Sequence, residues 1–391
     1  MMNEIKLSGN PIIPKPAADP TMVQFGDRYY VYPTFGGIPE VGFGVWSSED
    51  LSDFQSEGMI LRFEDLGWAK KDAWAPDIIE RNGRYYFYFS AQSSIGVAIS
   101  DSPTGPFVDP LGKPLIPFEE DMSTIDPCVF IDDDGRTYLY WGATFDGRMF
   151  MRELNDDMIS FKGEKKTVFH YTLEKDYHCE GSYIFKRNGL YYYLFSEYIW
   201  CDSPALHVDH SYRVNYAVSD RPEGPFTKEL SRVPILSTDM TLGYIGPGHN
   251  SILNPPGTDE YFIIYHQHQG DARYRRANID RLTFSPNGAI NTVRMTREGV
   301  PLRPIMAWLS HKTPGAHPLG KDKCFSLGTK LSFEAIENVT LFVNGTPIHT
   351  EPYTETLTWH PTARGVYRVN ATLTAKDKTV YTTKALHIDV V

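Results

Sequence analysis

Cysteine is scarce in this chain: four among 391 residues. Cys128, Cys179, Cys201 and Cys324 show neither C-x-x-C nor metal-finger spacing. Free, buried thiols acting as small hydrophobes are expected. Long apolar runs are missing too. None approaches the roughly 18 to 20 residues of a membrane-spanning helix. The opening MMNEIKLSGN lacks the apolar core of a signal peptide, so a cytoplasmic protein is expected, or a secreted one if a leader was removed. Positive charge is in deficit, with 38 Lys and Arg against 49 Asp and Glu and a net charge of -11. Such a surface repels phosphate backbones and anionic lipid heads, which excludes nucleic acid and membranes as natural partners.

What is abundant is aromatic and turn-forming. The chain has 24 Tyr, 22 Phe, 28 Pro and 31 Gly, a composition that favours short strands and turns over helices. An all-β protein is expected. The length suits one large domain with a small one attached, since single cores stop growing at roughly 250 to 300 residues.

The large domain is repetitive. DPTMVQFGDRYYVYPT begins at Asp19, APDIIERNGRYYFYFSA carries Asp77, DPCVFIDDDGRTYLYWG begins at Asp126 and EGSYIFKRNGLYYYLFSE begins at Glu180. A weaker fifth copy, GHNSILNPPGTDEYFIIYHQH, begins at Gly248. Each copy reads as a polar residue, a short apolar strand, a turn and an aromatic strand, which is the pattern of a β-hairpin. A second repeat follows, clearest in VAISDSPTGPFVD (97–109) and YAVSDRPEGPFTK (216–228) and looser in VWSSEDLSDFQSEG and MRELNDDMISFKGE. From Asp19 to Asp77, Asp126, Glu180 and Asn250 the steps are 58, 49, 54 and 70 residues. Five units of about four strands predict a five-bladed β-propeller.

In a propeller the first strand of each blade lines the central channel. Asp19, Asp77, Asp126 and Glu180 are then expected at equivalent places, facing one another across one mouth. Carboxylates gathered in this way raise one another's pKa, at about 1.4 kcal/mol for each pKa unit. Such a cluster points to chemistry rather than to stability.

With these blocks in view the chain resembles glycoside hydrolase family 43. The resemblance covers roughly residues 8 to 300. It rests on NPIIPKPAADPTM (10–22), WAPDI (74–78), TIDPCVFIDDDG (124–135), EGSYIFKRNGLYYYLFS (180–196), GPGHNS (246–251) and YRRANIDRLTFSPNGAI (274–290), in that order. It implies a five-bladed propeller that hydrolyses arabinose- and xylose-containing glycans with inversion. By motif, Asp19 corresponds to the general base that activates water and Glu180 to the general acid. Asp126 corresponds to the third carboxylate, which holds the acid and raises its pKa. An inverting hydrolase needs one carboxyl protonated and one ionised, roughly 6.5 to 9.5 Å apart, so that a water fits between base and sugar. Where many relatives read EGP or EAP, this chain reads CEGSY, which bears on subtype rather than on the role of Glu180.

Substrate-binding candidates are Phe35, Trp74, Asp77 and Arg275. Trp74 offers a flat wall for sugar C–H faces, against the alternative of a core Trp. Asp77 could equally hold backbone N–H groups. Arg275 lies where the family places an arginine on sugar hydroxyls, with Arg273 and Arg276 as rivals in register. His249 matches a position that in relatives faces the channel and is associated with one calcium ion, usually through water; the other reading is a structural histidine. DDDG (132–135) has consecutive rather than alternating Asp residues and reads as a hairpin turn, not a calcium loop.

The predicted organisation is a propeller over 1–305, a Pro- and Gly-rich linker over 306–323, and a small β-sandwich over 324–391 resembling immunoglobulin-like accessory modules. The expected activity is exo-acting, inverting release of terminal α-L-arabinofuranose or β-D-xylose from plant cell-wall oligosaccharides, without an organic cofactor. Alternatives are an endo-arabinanase or galactoside-cleaving member of the same family, and a non-catalytic glycan-binding propeller. The related retaining enzymes acting on fructosides begin with a WMNDPNG-type block, which residues 10–22 do not contain.

Overall fold

A computed structural model describes residues 5–34, 41–119, 124–142, 147–170, 177–199, 212–231, 233–269 and 274–391. It is all-β. Two single-turn 3-10 segments, Phe63–Asp65 and Phe333–Ala335, are the helical elements among the described residues.

Turn chemistry sets up the sheets. Asn82-Gly83 and Asn188-Gly189 have positive φ at both positions (56° and 76°; 51° and 79°), the geometry of a two-residue hairpin turn whose twist matches that of its strands. Successive antiparallel hairpins then build five sheets in chain order. The first holds β1 (Ala18–Phe25), β2 (Arg28–Thr34), β3 (Gly42–Ser48) and β4 (Gln55–Arg62), and the second β5 (Trp74–Arg81), β6 (Arg84–Ala91) and β7 (Ser94–Ser100). The third holds β8 (Cys128–Ile131), β9 (Thr137–Trp141), β10 (Arg148–Leu154) and β11 (Phe161–His170). The fourth holds β12 (Tyr177–Arg187), β13 (Leu190–Ile199) and β14 (Arg213–Ser219), and the fifth β15 (Tyr244–Leu253), β16 (Tyr261–Gln269) and β17 (Arg275–Leu282).

The sheets close into a ring. Their first strands touch in a cycle, β1 to β5, β5 to β8, β8 to β12, β12 to β15 and β15 back to β1. Five apolar clusters fill the spaces between neighbouring sheets. Tyr32 and Phe43 meet Phe87 and Phe89, Tyr88 meets Leu139 and Trp141, and Tyr140 meets Tyr193 and Phe195. Tyr192 and Tyr216 meet Ile263 and Tyr265, and Phe262 and Ile264 meet Val31 and Trp46. Second strands are therefore buried on both faces, which is why RYYFYFSA and LYYYLFSE show no polar alternation. The N-terminal segment seals the ring along β17: Ile12 N–H donates to Ala277 O (2.9 Å) and Ala17 N–H to Arg275 O (3.0 Å). The Asn10 side chain both donates to Ile279 O (2.9 Å) and accepts from Ile279 N–H (2.8 Å).

A further unit follows, containing β18 (Ala307–His311), β19 (Lys323–Thr329), β20 (Ile336–Val343), β21 (Thr346–Glu351), β22 (Thr356–Trp359), β23 (Gly365–Ala375), β24 (Val380–Thr382) and β25 (Leu386–Val390). One sheet runs β18-β19-β22; the other runs β21-β20-β23-β24, with β25 also on β23. Leu309, Phe325 and Leu357 from the first share a core with Val339, Leu341 and Val369 from the second. The linker expected over 306–323 is corrected here. Ala307–His311 is a strand paired with β19, and the remainder is tied down by His317 N–H to Asp389 O (2.7 Å) and Gly315 N–H to Asn82 O (2.7 Å).

This unit covers the end of the ring where first and second strands join. Arg81, 1% exposed, places Nη2 2.7 Å and Nε 3.0 Å from the carboxylate oxygens of Asp389. Asn82 Nδ2 adds 2.6 Å to Asp389 Oδ2. A methyl group added at the hairpin glycine Gly135 would fall 2.3 Å from Val366 Cβ, and one at Gly257 2.5 Å from Thr382 Oγ1. A chamber of about 480 Å³ lies between ring and cap, lined among others by Asp77, Cys128, Tyr183, Lys384 and His387.

Candidate active site

At the opposite end, four of the five first strands share one irregularity. Pairing slips between Ala18 and Thr21, Trp74 and Asp77, Glu180 and Tyr183, and Gly248 and Ser251. The slip leaves one residue with positive φ: Asp19 (46°), Ala75 (37°), Gly181 (68°) and His249 (42°). In the third sheet Asp126 (60°) occupies the same place, two residues ahead of Cys128. Such bulges re-aim side chains, and a non-glycine residue held there costs roughly 1 to 3 kcal/mol, a hallmark of functional sites.

This register corrects the expected equivalence of the four carboxylates. Asp19 and Asp126 are true counterparts, with His249 as a third. Glu180 stands one residue earlier, the counterpart of Trp74. Asp77 stands two residues further in, the counterpart of Thr21, Cys128 and Ser251. Its Oδ2 accepts the Val129 N–H at 2.7 Å, and it lines the capped chamber. Burial raises its pKa to about 7, against the hydrogen bonds that lower it. Asp77 is thus a backbone-holding group, the alternative reading of the sequence, rather than a neighbour of Asp19.

Around Asp19 the ring gathers positive and polar groups. Arg275 Nη1 donates to Oδ1 at 2.8 Å, His266 Nδ1 lies 3.0 Å and His249 Nδ1 3.5 Å from the same oxygen. Thr34 Oγ1 donates to Oδ2 at 2.7 Å and itself accepts the Ala75 N–H at 2.7 Å. Burial pushes the Asp19 pKa up, but Arg275, then His249 and His266, hold it well below the usual carboxylate range. Asp19 is therefore ionised. His266 is kept neutral, its pKa lowered to about 3 by burial and then by Arg275. Arg276 instead reaches Pro14 O (3.1 Å), so of these two Arg275 is the one that meets Asp19; Arg273 lies outside the described residues.

Asp126 lives in the opposite field. Burial first, then the charges of Glu180 and Asp19, push its pKa well above the usual range, opposed by the Gly181 N–H that donates to Oδ2 at 2.9 Å. Two carboxyls coupled in this way titrate as a pair rather than one by one. Glu180 is the less buried partner, and its Oε1 accepts the hydroxyl of Tyr212 at 2.7 Å. Trp74 is partly exposed at the same rim. Phe35 lies outside the described residues.

His249 Nδ1 lies between the two counterparts, 3.5 Å from Asp19 and 3.7 Å from Asp126. Calcium asks for roughly six to eight oxygen ligands. Among the described residues no group of three or more His, Cys, Asp or Glu is arranged to hold a metal, and His249 fits a strut between carboxylates better than a direct ligand. His266, Thr34 and Tyr212 were missed in the sequence. They sit at ends of neighbouring strands or at a loop exit, and no motif marks them.

The family model of glycosyl hydrolases family 43 matches residues 8–290. The chain belongs to this family. It is 34% identical over 313 residues to the β-D-galactofuranosidase xynD of Aspergillus niger, covering 75% of this chain and 87% of that one. It is 25% identical over 334 residues to a xylosidase/arabinosidase of Bacteroides ovatus, covering 71% and 94%. A solved thermostable family-43 glycoside hydrolase superposes with a TM-score of 0.64 at 30% identity, over 76% of this chain and 99% of the other. Membership makes the protein a hydrolase of glycosidic bonds.

Proposed function

We propose that this family-43 enzyme is an inverting, exo-acting glycosidase that releases terminal α-L-arabinofuranose or β-D-xylose from short plant cell-wall oligosaccharides. The ring is read as a five-bladed propeller and the C-terminal unit as an immunoglobulin-like sandwich that closes one end of its channel. The observation that carries the mechanism is the contrast across one mouth: Arg275 donates to Asp19 at 2.8 Å, which favours the ionised form, whereas Asp126 is buried beside Glu180, which favours the protonated form. Asp19 draws a proton from a water, and that water attacks the anomeric carbon. Glu180, fed by its coupling to Asp126, donates its proton to the leaving oxygen. Asp19 ends protonated and Glu180 ionised, and the two exchange the proton with solvent before the next turnover. Arg275 and Trp74 border the sugar site, and no step runs through a metal.

The relatives support the substrate class: one is named a xylosidase/arabinosidase. The relative named a galactofuranosidase favours a second reading, terminal β-D-galactofuranose. That sugar has the ring configuration of α-L-arabinofuranose plus one hydroxymethyl group, so the same carboxylates would serve. Proton NMR of the purified protein on arabinoxylan, arabinan and galactofuranosyl oligosaccharides tests both readings. Free arabinose or xylose appearing first in the inverted anomer supports the first reading, and galactose the second. Release with retention would overturn the mechanism.

A further inference from the structure

Tyr212 enters the site from the start of β14 and is held there by three separate features. Its ring stacks on His266, with centroids 5.6 Å apart and planes inclined by 19°. Its edge lies over Gly248, where a Cβ would fall 1.9 Å from Tyr212 Cε1, so only glycine at this point of β15 admits the ring. Its hydroxyl reaches Glu180 Oε1 at 2.7 Å and also meets the side chain of buried Ser196. Ser196 Oγ accepts the His249 N–H at 2.7 Å, which leaves the serine proton for the tyrosine oxygen. The chain of donors then runs from Ser196 to Tyr212 to Glu180.

We propose that Tyr212 is a positioning residue for the acid: it donates to Oε1 of Glu180, fixes the orientation of the carboxyl group, and stabilises the carboxylate that remains once the proton has gone to the leaving oxygen. The inference rests on Glu180 being the acid. A hydrogen bond donated to a carboxyl favours its ionised form. In the ground state it therefore lowers the pKa of the acid, and in the transition state it strengthens as negative charge develops on Glu180. Its contribution should be large only where the leaving group needs the proton.

The test compares Tyr212→Phe with the native enzyme on two substrates of the same terminal sugar, a natural oligosaccharide and a dinitrophenyl glycoside whose leaving group needs little protonation. Glu180→Ala serves as the reference. The phenyl ring preserves the stacking on His266 and the contact with Gly248, so only the hydroxyl is removed. The expected result is a loss of about 10- to 100-fold in kcat on the oligosaccharide with KM little changed, and less than about 3-fold on the activated glycoside. The alkaline limb of the kcat/KM profile should move to higher pH, because the acid keeps its proton longer. Equal losses on both substrates, or an alkaline limb that does not move, would overturn the role of Tyr212. If Glu180→Ala itself loses both substrates equally, the acid assignment fails instead. Gly248→Ala, which displaces the ring, should reproduce the leaving-group dependence; equal loss on both substrates there would also count against the proposal.

Discussion

Arg275 Nη1 stands 2.8 Å from Asp19 Oδ1, although the two are 256 residues apart in the chain and belong to the last and first sheets of the ring. This pair ties the charge state of Asp19, the proposed base, to closure of the ring. Burial by itself would raise the pKa of Asp19; the guanidinium reverses that. As the proposed base, Asp19 must be ionised to accept a proton, so activity on the acid side should follow its pKa. In Arg275→Met the pKa rises, and the acidic limb of kcat/KM should shift upward, with lower activity at its optimum as well. A profile measured from pH 3 to 7 checks this, and an unmoved acidic limb would separate Arg275 from the base.

Asp77 gives a prediction about stability instead. Its pKa is raised from 3.8 to about 7 in the folded protein, so the folded state binds its proton more tightly than the unfolded state. This group's contribution is complete below about pH 4 and is lost as pH rises toward 7, where an ionised carboxylate is left buried. Asp77→Asn retains an oxygen for the Val129 N–H and cannot ionise. The variant should match the native protein in melting temperature near pH 4 and exceed it at pH 8. Equal differences at both pH values would show that Asp77 does not titrate in this range.

The cap offers two tests. Asp389→Ala leaves Arg81 buried with its main partner gone, and breaking a buried pair from one side costs roughly 3 to 5 kcal/mol. Replacing both, as Arg81→Met with Asp389→Leu, should cost much less in denaturant unfolding. If the single and double variants are equally destabilised, the loss reflects packing rather than a stranded charge.

Hairpin-tip glycines separate docking from strain. Gly135 (φ 84°) and Gly189 (φ 79°) share a left-handed backbone. Yet a Cβ on Gly135 meets Val366 at 2.3 Å, whereas one on Gly189 meets nothing within 4 Å. Gly189→Ala should cost only the conformational term, roughly 1 to 2 kcal/mol. Gly135→Ala should cost clearly more and loosen the cap, read as faster proteolysis between residues 282 and 307. Similar stability of the two variants would argue against tight docking at that hairpin.

Much of this organisation was legible in the sequence because it is repeated. Hairpin turns, doubly buried aromatic strands and the order of the sheets all follow from short local patterns, and Asp19, Asp126 and Glu180 do gather at one mouth. The error over Asp77 has a physical cause. Letters were aligned on the carboxylate, whereas the backbone repeats on the bulge, and Asp77 stands two residues past the bulge position held by Asp19 and Asp126, at another level of the channel. The strand Ala307–His311 was hidden in a Pro- and Gly-rich stretch because its partner, β19, lies beyond the loop, and non-local pairing leaves little trace in a short window. Thr34, His266 and Tyr212 were invisible for the same reason: each matters through a neighbour brought in from a distant sheet.

The bonding of Asn10 to Ile279 has a consequence for biosynthesis. Asn10 is made 269 residues before Ile279, so it finds its partner strand only on the order of tens of seconds later at about 5 to 20 residues per second. Until then the nascent chain presents the Val31 and Trp46 side of its first sheet, later covered by Phe262 and Ile264, to the cellular milieu. Yield in a host should therefore depend on whatever shields that face during translation, and slower elongation should hurt this chain rather than help it.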